Sequence, residues 1–247
     1  SAKAVAEFAR IPKTSEYFVD SRIHSAYVHQ RDEKTDEAIE EIRQALEVKP
    51  DSTELLGFLA SLYREKKDYE NAVSLLEKTI ELEPENDKYW FTLGAVYDEA
   101  KRKEDCIVAM QKAIAIEPKN AAALNYLGYT WAEMGVELDE AERLIRRALD
   151  LEPDDGFYID SLAWVYYQRG DFDKAAQTLE RAVELVDDDP TVTEHLGDAY
   201  QKLGRHGDAA RVYRDALAKT KEAEQVERLK GKISSVESRA TGLGSRL

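Results

Sequence analysis

The sequence predicts an all-α chain, an α-solenoid of stacked antiparallel helix pairs, and three observations predict it. Proline recurs at Pro50, Pro84, Pro118 and Pro153, in steps of 34, 34 and 35 residues. Small residues recur with the same step at Ala4, Ala38, Ala72, Cys106, Ala141, Ala175 and Ala209, with one extra residue between Cys106 and Ala141, inside the turn segment GVELDEA. Each period reads as two amphipathic helices, as in DKYWFTLGAVYDEAK followed by KEDCIVAMQKAIAI, with apolar residues three and four apart and a polar turn between them. A fixed period of this length marks units that bury their apolar faces only by stacking on their neighbours.

Along the chain, Ala4, Phe8 and Ile11 fall in register with Ala38, Ile42 and Ala45. The segment AKAVAEFARI is therefore expected to be the second helix of a repeat whose first helix lies upstream, and Ser1 in place of methionine agrees with a piece cut from a longer protein. The first complete period, from about Val19, keeps Ala26, Ala38, Ile42, Ala45 and Pro50. The second carries Leu56, Leu59, Ala60, Tyr63, Ala72, Leu76 and Pro84; the third Trp90, Leu93, Gly94, Tyr97, Met110, Ala113 and Pro118. The fourth carries Leu124, Leu127, Gly128, Trp131, Ala141, Ile145, Ala148 and Pro153. Leu162, Ala163, Tyr166, Ala175, Leu179 and Ala182 mark the fifth, and Leu196, Gly197, Tyr200, Ala209, Tyr213 and Ala216 the sixth. Gly or Ala at a helix crossing lets two backbones approach while Leu, Tyr and Trp fill the space around them. After the sixth period, EAEQVERLKGKISSVESR places Val226, Leu229, Ile233 and Val236 on one stripe with a charged opposite face, as a capping helix requires.

Composition excludes several classes. With 35 Lys and Arg against 50 Asp and Glu, the net charge of −15 opposes a phosphate-driven grip on nucleic acid or anionic lipid. No apolar run approaches the roughly 18 residues of a membrane span, so direct membrane insertion is not expected. The single cysteine, Cys106, sits at a small-residue packing position and reads as a buried, inert thiol. His24 and His29 are five residues apart, off one helical face, and His195 and His206 form no ligand pair with them. With no HExxH, CxxC, P-loop or dinucleotide pattern, no metal, cofactor or catalytic group is expected. The Arg169 to Asp171 tripeptide lies between paired helices, where Gly is a turn residue, and Asp187, Asp188 and Asp189 read as solvated loop charge.

The repeating residues resemble the tetratricopeptide repeat (TPR) family, whose 34-residue unit is a helix-turn-helix. The third period matches best, with Cys106 and Met110 as its departures, and the first is the most degraded, placing His29 where Tyr is usual. The resemblance implies a right-handed superhelix with this division: residues 1–18, the second helix of a truncated upstream repeat and a connection; six repeats over 19–223, at about 19–52, 53–86, 87–120, 121–155, 156–189 and 190–223; a capping helix at 224–238; and a flexible tail at 239–247. The stretch 123–185 is similar to a bacterial subgroup often found in secreted or outer-membrane-associated proteins, which leans the expected location toward the periplasm.

The resemblance also implies that positions 2, 5, 9, 12 and 13 of each repeat line a concave groove. Family members that clamp a chaperone's C-terminal carboxylate carry Lys, Arg and Asn at positions 5 and 9. Here those positions hold Ile23 and Tyr27, Gly57 and Ser61, Phe91 and Ala95, Asn125 and Tyr129, Asp160 and Trp164, and Glu194 and Asp198. Only Asn125 fits, so a cochaperone role is not expected. The candidate peptide-binding groove is Phe91, Asn125, Tyr129, Phe157, Asp160, Trp164, Tyr167, Glu194 and Asp198. Its aromatic rings form an apolar floor, each offering roughly 150–250 Å², and its acids suit a Lys or Arg. The expected function is a non-enzymatic scaffold or adaptor holding a protein or peptide with apolar anchors and basic residues. A self-assembling homo-oligomeric module, or the regulatory arm of a larger enzyme or assembly complex, are the alternatives.

Overall fold

The computed structural model describes residues 2–186 and 188–240, and every regular element among them is an α-helix. The chain divides into two compact units, Ser1–Pro118 and Lys119–Leu247. In the first unit, α1 (Ala2–Phe8) precedes three helix pairs: α2 (Phe18–Arg31) with α3 (Thr35–Leu46), α4 (Thr53–Glu65) with α5 (Tyr69–Leu82), and α6 (Asp87–Glu99) with α7 (Lys103–Ile116). The second unit pairs α8 (Ala121–Met134) with α9 (Leu138–Leu151), α10 (Gly156–Gln168) with α11 (Phe172–Leu185), and α12 (Pro190–Lys202) with α13 (His206–Lys219). The last helix, α14 (Ala223–Ala240), packs on α13. The expected fold class, helix pairs stacked as a solenoid, is the one found. Of the expected tail, residues 241–247 lie outside the described residues, as does Asp187.

The turn chemistry explains why each pair closes on itself. Three residues join its helices, and in every pair a turn N–H reaches back to a carbonyl five residues earlier: Asp68 to Tyr63, Arg102 to Tyr97, Asp171 to Tyr166 and Arg205 to Tyr200, at 2.8–3.0 Å. That bond needs a left-handed residue just after the helix. Gly170 and Gly204 supply it without strain, whereas Glu33, Lys67 and Lys101 adopt it with side chains attached. The extra residue of the fourth period is taken up after Gly135, where Glu137 turns left-handed as well. Most first helices open on a side-chain cap, from Ser52, Asn86, Asn120, Asp155 and Asp189.

From Ala38 onward the recurring small residues sit where the paired helices touch, whereas Ala4 on α1 is exposed. Ala38, Ala72, Cys106, Ala141, Ala175 and Ala209 are all fully buried. A Cβ added at Gly94 would lie 2.8 Å from Met110, and one at Gly128 would meet Ile145 at 2.6 Å and the Ala141 carbonyl at 2.9 Å. The aromatic residue near the end of the first helix joins one pair to the preceding one: Tyr97 donates to Glu77 at 3.2 Å and Tyr200 to Glu180 at 2.7 Å, each reaching back 20 residues.

Candidate functional site

Eight of the nine sequence-predicted groove residues belong to the second unit: Asn125 and Tyr129 on α8, Phe157, Asp160, Trp164 and Tyr167 on α10, and Glu194 and Asp198 on α12. The ninth, Phe91, is carried by α6 of the first unit, where it is half-buried. Asn125, Tyr129, Phe157 and Asp160 line a common pocket of about 330 Å³, together with Ser161, His195 and the first turn of α12. Phe157 stands at the start of α10, 51% exposed although its neighbours Gly156 and Ile159 are buried. It is placed there by Asp155, whose carboxylate caps α10 by accepting the Phe157 and Tyr158 N–H groups at 2.8 and 3.0 Å.

Trp164 and Tyr167 are not loose platforms. The indole stacks on two rings, Tyr167 at 4.6 Å and His195 at 4.4 Å. His195 is in turn held by Asp160, whose carboxylate oxygens lie 2.9 and 3.1 Å from its Nδ1. Burial opposes a charge on this imidazole, but Asp160, with Asp198 and Glu194 behind it, outweighs that cost and raises the His195 pKa above its ordinary value. Burial, reinforced by Asp198, pushes the Tyr167 hydroxyl up to about 12, so it stays protonated. Ser161 beside the pair donates its hydroxyl to the Phe157 carbonyl at 3.0 Å, a structural bond within the helix.

The acids at the far end of the wall are engaged by the chain itself. Glu194 is 3% exposed and accepts from Arg228 at 2.8 and 2.9 Å, while Lys232 approaches it at 2.8 Å and Gln225 at 3.3 Å. Burial alone would raise its pKa, yet the two cations and the amide bring it down to about 2. Asp198 accepts from Lys232 at 2.6 and 2.8 Å and from the Tyr213 hydroxyl at 2.7 Å. The spacing is informative: Glu194 to Arg228 and Asp198 to Lys232 are each 34 residues apart, so α14 stands where the first helix of a further repeat would. In this structure α14 supplies the cations that Glu194 and Asp198 meet. The apolar stripe of α14 does pack inward, with Leu229 and Val236 fully buried, but part of its charged face turns to α12.

Sequence reasoning missed His195, set aside for want of a neighbouring ligand; its partner Asp160 lies one repeat plus one residue away. It also missed the pocket lining from Ser161 and Val192, since both fall outside the groove register.

A helical repeat scaffold is the class these features define. The tetratricopeptide repeat profile matches residues 30–90 and 166–233, and a second profile, the cytochrome c-type biogenesis protein H TPR domain, matches residues 76–193. The chain belongs to the tetratricopeptide repeat family, whose members are in general non-enzymatic scaffolds. A TPR repeat-containing protein of Pseudomonas aeruginosa is 46% identical over 50 residues, a stretch covering 20% of this chain and 8% of that protein. A tetratricopeptide repeat protein from Parabacteroides merdae superimposes with a TM-score of 0.76 at 16% identity, over 89% of this chain and 86% of that one. PilW, a type IV pilus biogenesis factor, gives a TM-score of 0.71 at 17% identity, over 87% of this chain and 99% of its own.

Proposed function

We propose that this chain is a non-enzymatic interaction scaffold whose second unit holds a peptide or partner helix against the wall formed by α8, α10 and α12. The observation that carries the reading is the pocket of about 330 Å³ in that wall, built largely of aromatic and apolar surface from Tyr129, Phe157 and Val192, with half of Phe157 left uncovered. Concave, mostly apolar sites with a few polar groups are the usual form of a binding pocket, and an aromatic anchor at its edge is the usual source of binding energy. The supporting acid in this wall is Asp160, since Glu194 and Asp198 are matched by α14. A displayed-peptide selection tests the proposal. Peptides enriched on the parent chain should lose at least about tenfold in affinity for Tyr129→Ala and Phe157→Ala, as expected for an aromatic anchor worth about 1.4 kcal/mol or more. Both variants should keep the parent's helical circular dichroism. Equal binding to both variants refutes the assignment of the wall.

A further inference from the structure

We infer that the α8/α10/α12 pocket is an arginine site, taking one guanidinium-bearing side chain of the bound peptide. The inference rests on the peptide-wall reading above and names the residue that the wall selects.

Three features of the pocket converge on that chemistry. The first is a buried acceptor without a partner: the side-chain Oδ1 of Asn125 is sealed from solvent and receives no hydrogen bond within the protein. An unpaired buried acceptor is costly, and a ligand that brings an N–H to it removes the cost. The second is the charge of the polar lining. Asp160 lies at the pocket and is 6% exposed; Asp189 stands at the first turn of α12, with Oδ1 committed to the Thr191 and Val192 N–H groups at 2.8 and 2.9 Å. Among the described residues of the lining, the one basic group is His195, already spent on Asp160. The third is shape. The remaining wall is aromatic and aliphatic, suited to the three methylenes of an arginine and to stacking against its planar head. A carboxylate ligand would meet Asp160 and Asp189, and a purely hydrocarbon side chain would leave Asn125 Oδ1 as it is.

The Asp160–His195 pair adds a readout that shape alone would not give. His195 is faced by Asp160 from α10 and lies beside Glu194 and Asp198 on its own helix. Those two are held by Arg228 and Lys232 of α14, and Asp198 also by Tyr213 of α13. With His195 protonated, the pair with Asp160 is neutral; once His195 loses its proton, Asp160 leaves a net negative charge at the pocket. Affinity for a cation therefore rises as the pH is raised through the His195 titration, and affinity for a neutral ligand of the same shape does not.

The test uses n-butylguanidinium, n-butylammonium and the neutral n-pentanol as probes of the chain. Binding is followed through the indole N–H resonance of Trp164 and the ring resonances of His195, which stacks on it. n-Butylguanidinium is expected to shift these resonances and to bind more tightly as the pH rises. Binding should weaken at least about tenfold in Asn125→Leu, which removes a hydrogen bond to a charged group, and its pH response should vanish in His195→Gln. n-Pentanol binding as well as n-butylguanidinium, at every pH, would overturn the cation assignment in the parent chain, without reliance on any variant. n-Butylammonium binding equally well would overturn the choice of arginine over lysine. If selected peptides still depend on Tyr129 and Phe157 while their Arg→norleucine exchanges are silent, the arginine site falls and the peptide wall stands. If the peptides ignore Tyr129 and Phe157 too, both fall.

Discussion

Lowering the pH should loosen α14 before it loosens the rest of the second unit, and Glu194 sets the size of the effect. Its folded pKa is depressed from the ordinary 4.5 to about 2. A depressed carboxylate contributes stability that is fully present above its unfolded pKa and is lost as the pH falls toward the folded value. The window is therefore pH 4.5 down to about 2. At about 1.36 kcal/mol per unit, the shift corresponds to at most about 3 kcal/mol. Arg228 is 48% exposed, so solvent screens that arm of the cluster and about 2 kcal/mol is the better figure. The assay is thermal unfolding by circular dichroism from pH 7 to pH 2.5, with hydrogen exchange reporting on α14. The parent should lose stability through the window. Glu194→Gln should be less stable at pH 7 by about 2 kcal/mol, because Arg228 and Lys232 lose their shared acceptor, and should show a flatter decline. Parallel curves for the two proteins, offset or superimposed, would refute the reasoning, since the pH dependence would then belong to other carboxylates.

Two further outcomes test the packing rules behind the repeat. Gly128→Ala should cost about 1–3 kcal/mol in urea unfolding, because the new Cβ meets the Ala141 carbonyl, a backbone atom that cannot rotate away; an unchanged midpoint would mean that the α8–α9 crossing is looser than its geometry. Lys101→Gly should stabilise by up to about 1 kcal/mol, since Lys101 holds φ at 63° with a Cβ in place; a loss of stability would show that the Lys101 side chain contributes more than its backbone strain costs.

The helix pairs were legible because their information is one-dimensional. A small residue every 34 positions and an apolar stripe on each helix depend on local spacing, and burial of Ala72, Cys106 or Ala175 follows from stacking alone. The electrostatics were not legible in the same way. His195 has no ligand within reach along its own helix and becomes meaningful only against Asp160, 35 residues earlier and on another helix. The charged face of α14 looked like a solvated surface, yet Arg228 and Lys232 repeat the places of Glu194 and Asp198 one period on. A polar residue in a stacked array must be read against the residue one repeat away as well as against its helical neighbours.

That rule bears on how acids are shared out in the second unit. At positions where successive first helices stack, a carboxylate with no counterpart on the next helix would be buried unpaired, which costs several kcal/mol. Glu194, almost wholly buried at the last such junction, is tolerated because α14 brings two cations to it. Asp160 faces a different counterpart, an imidazole whose charge is lost when the ring gives up its proton. The first arrangement keeps its charges paired over the physiological range and ties α14 to α12. The second changes its net charge when His195 loses its proton and borders the pocket, so on the proposed reading the acid offered to a cationic partner is the one matched to histidine rather than to arginine and lysine.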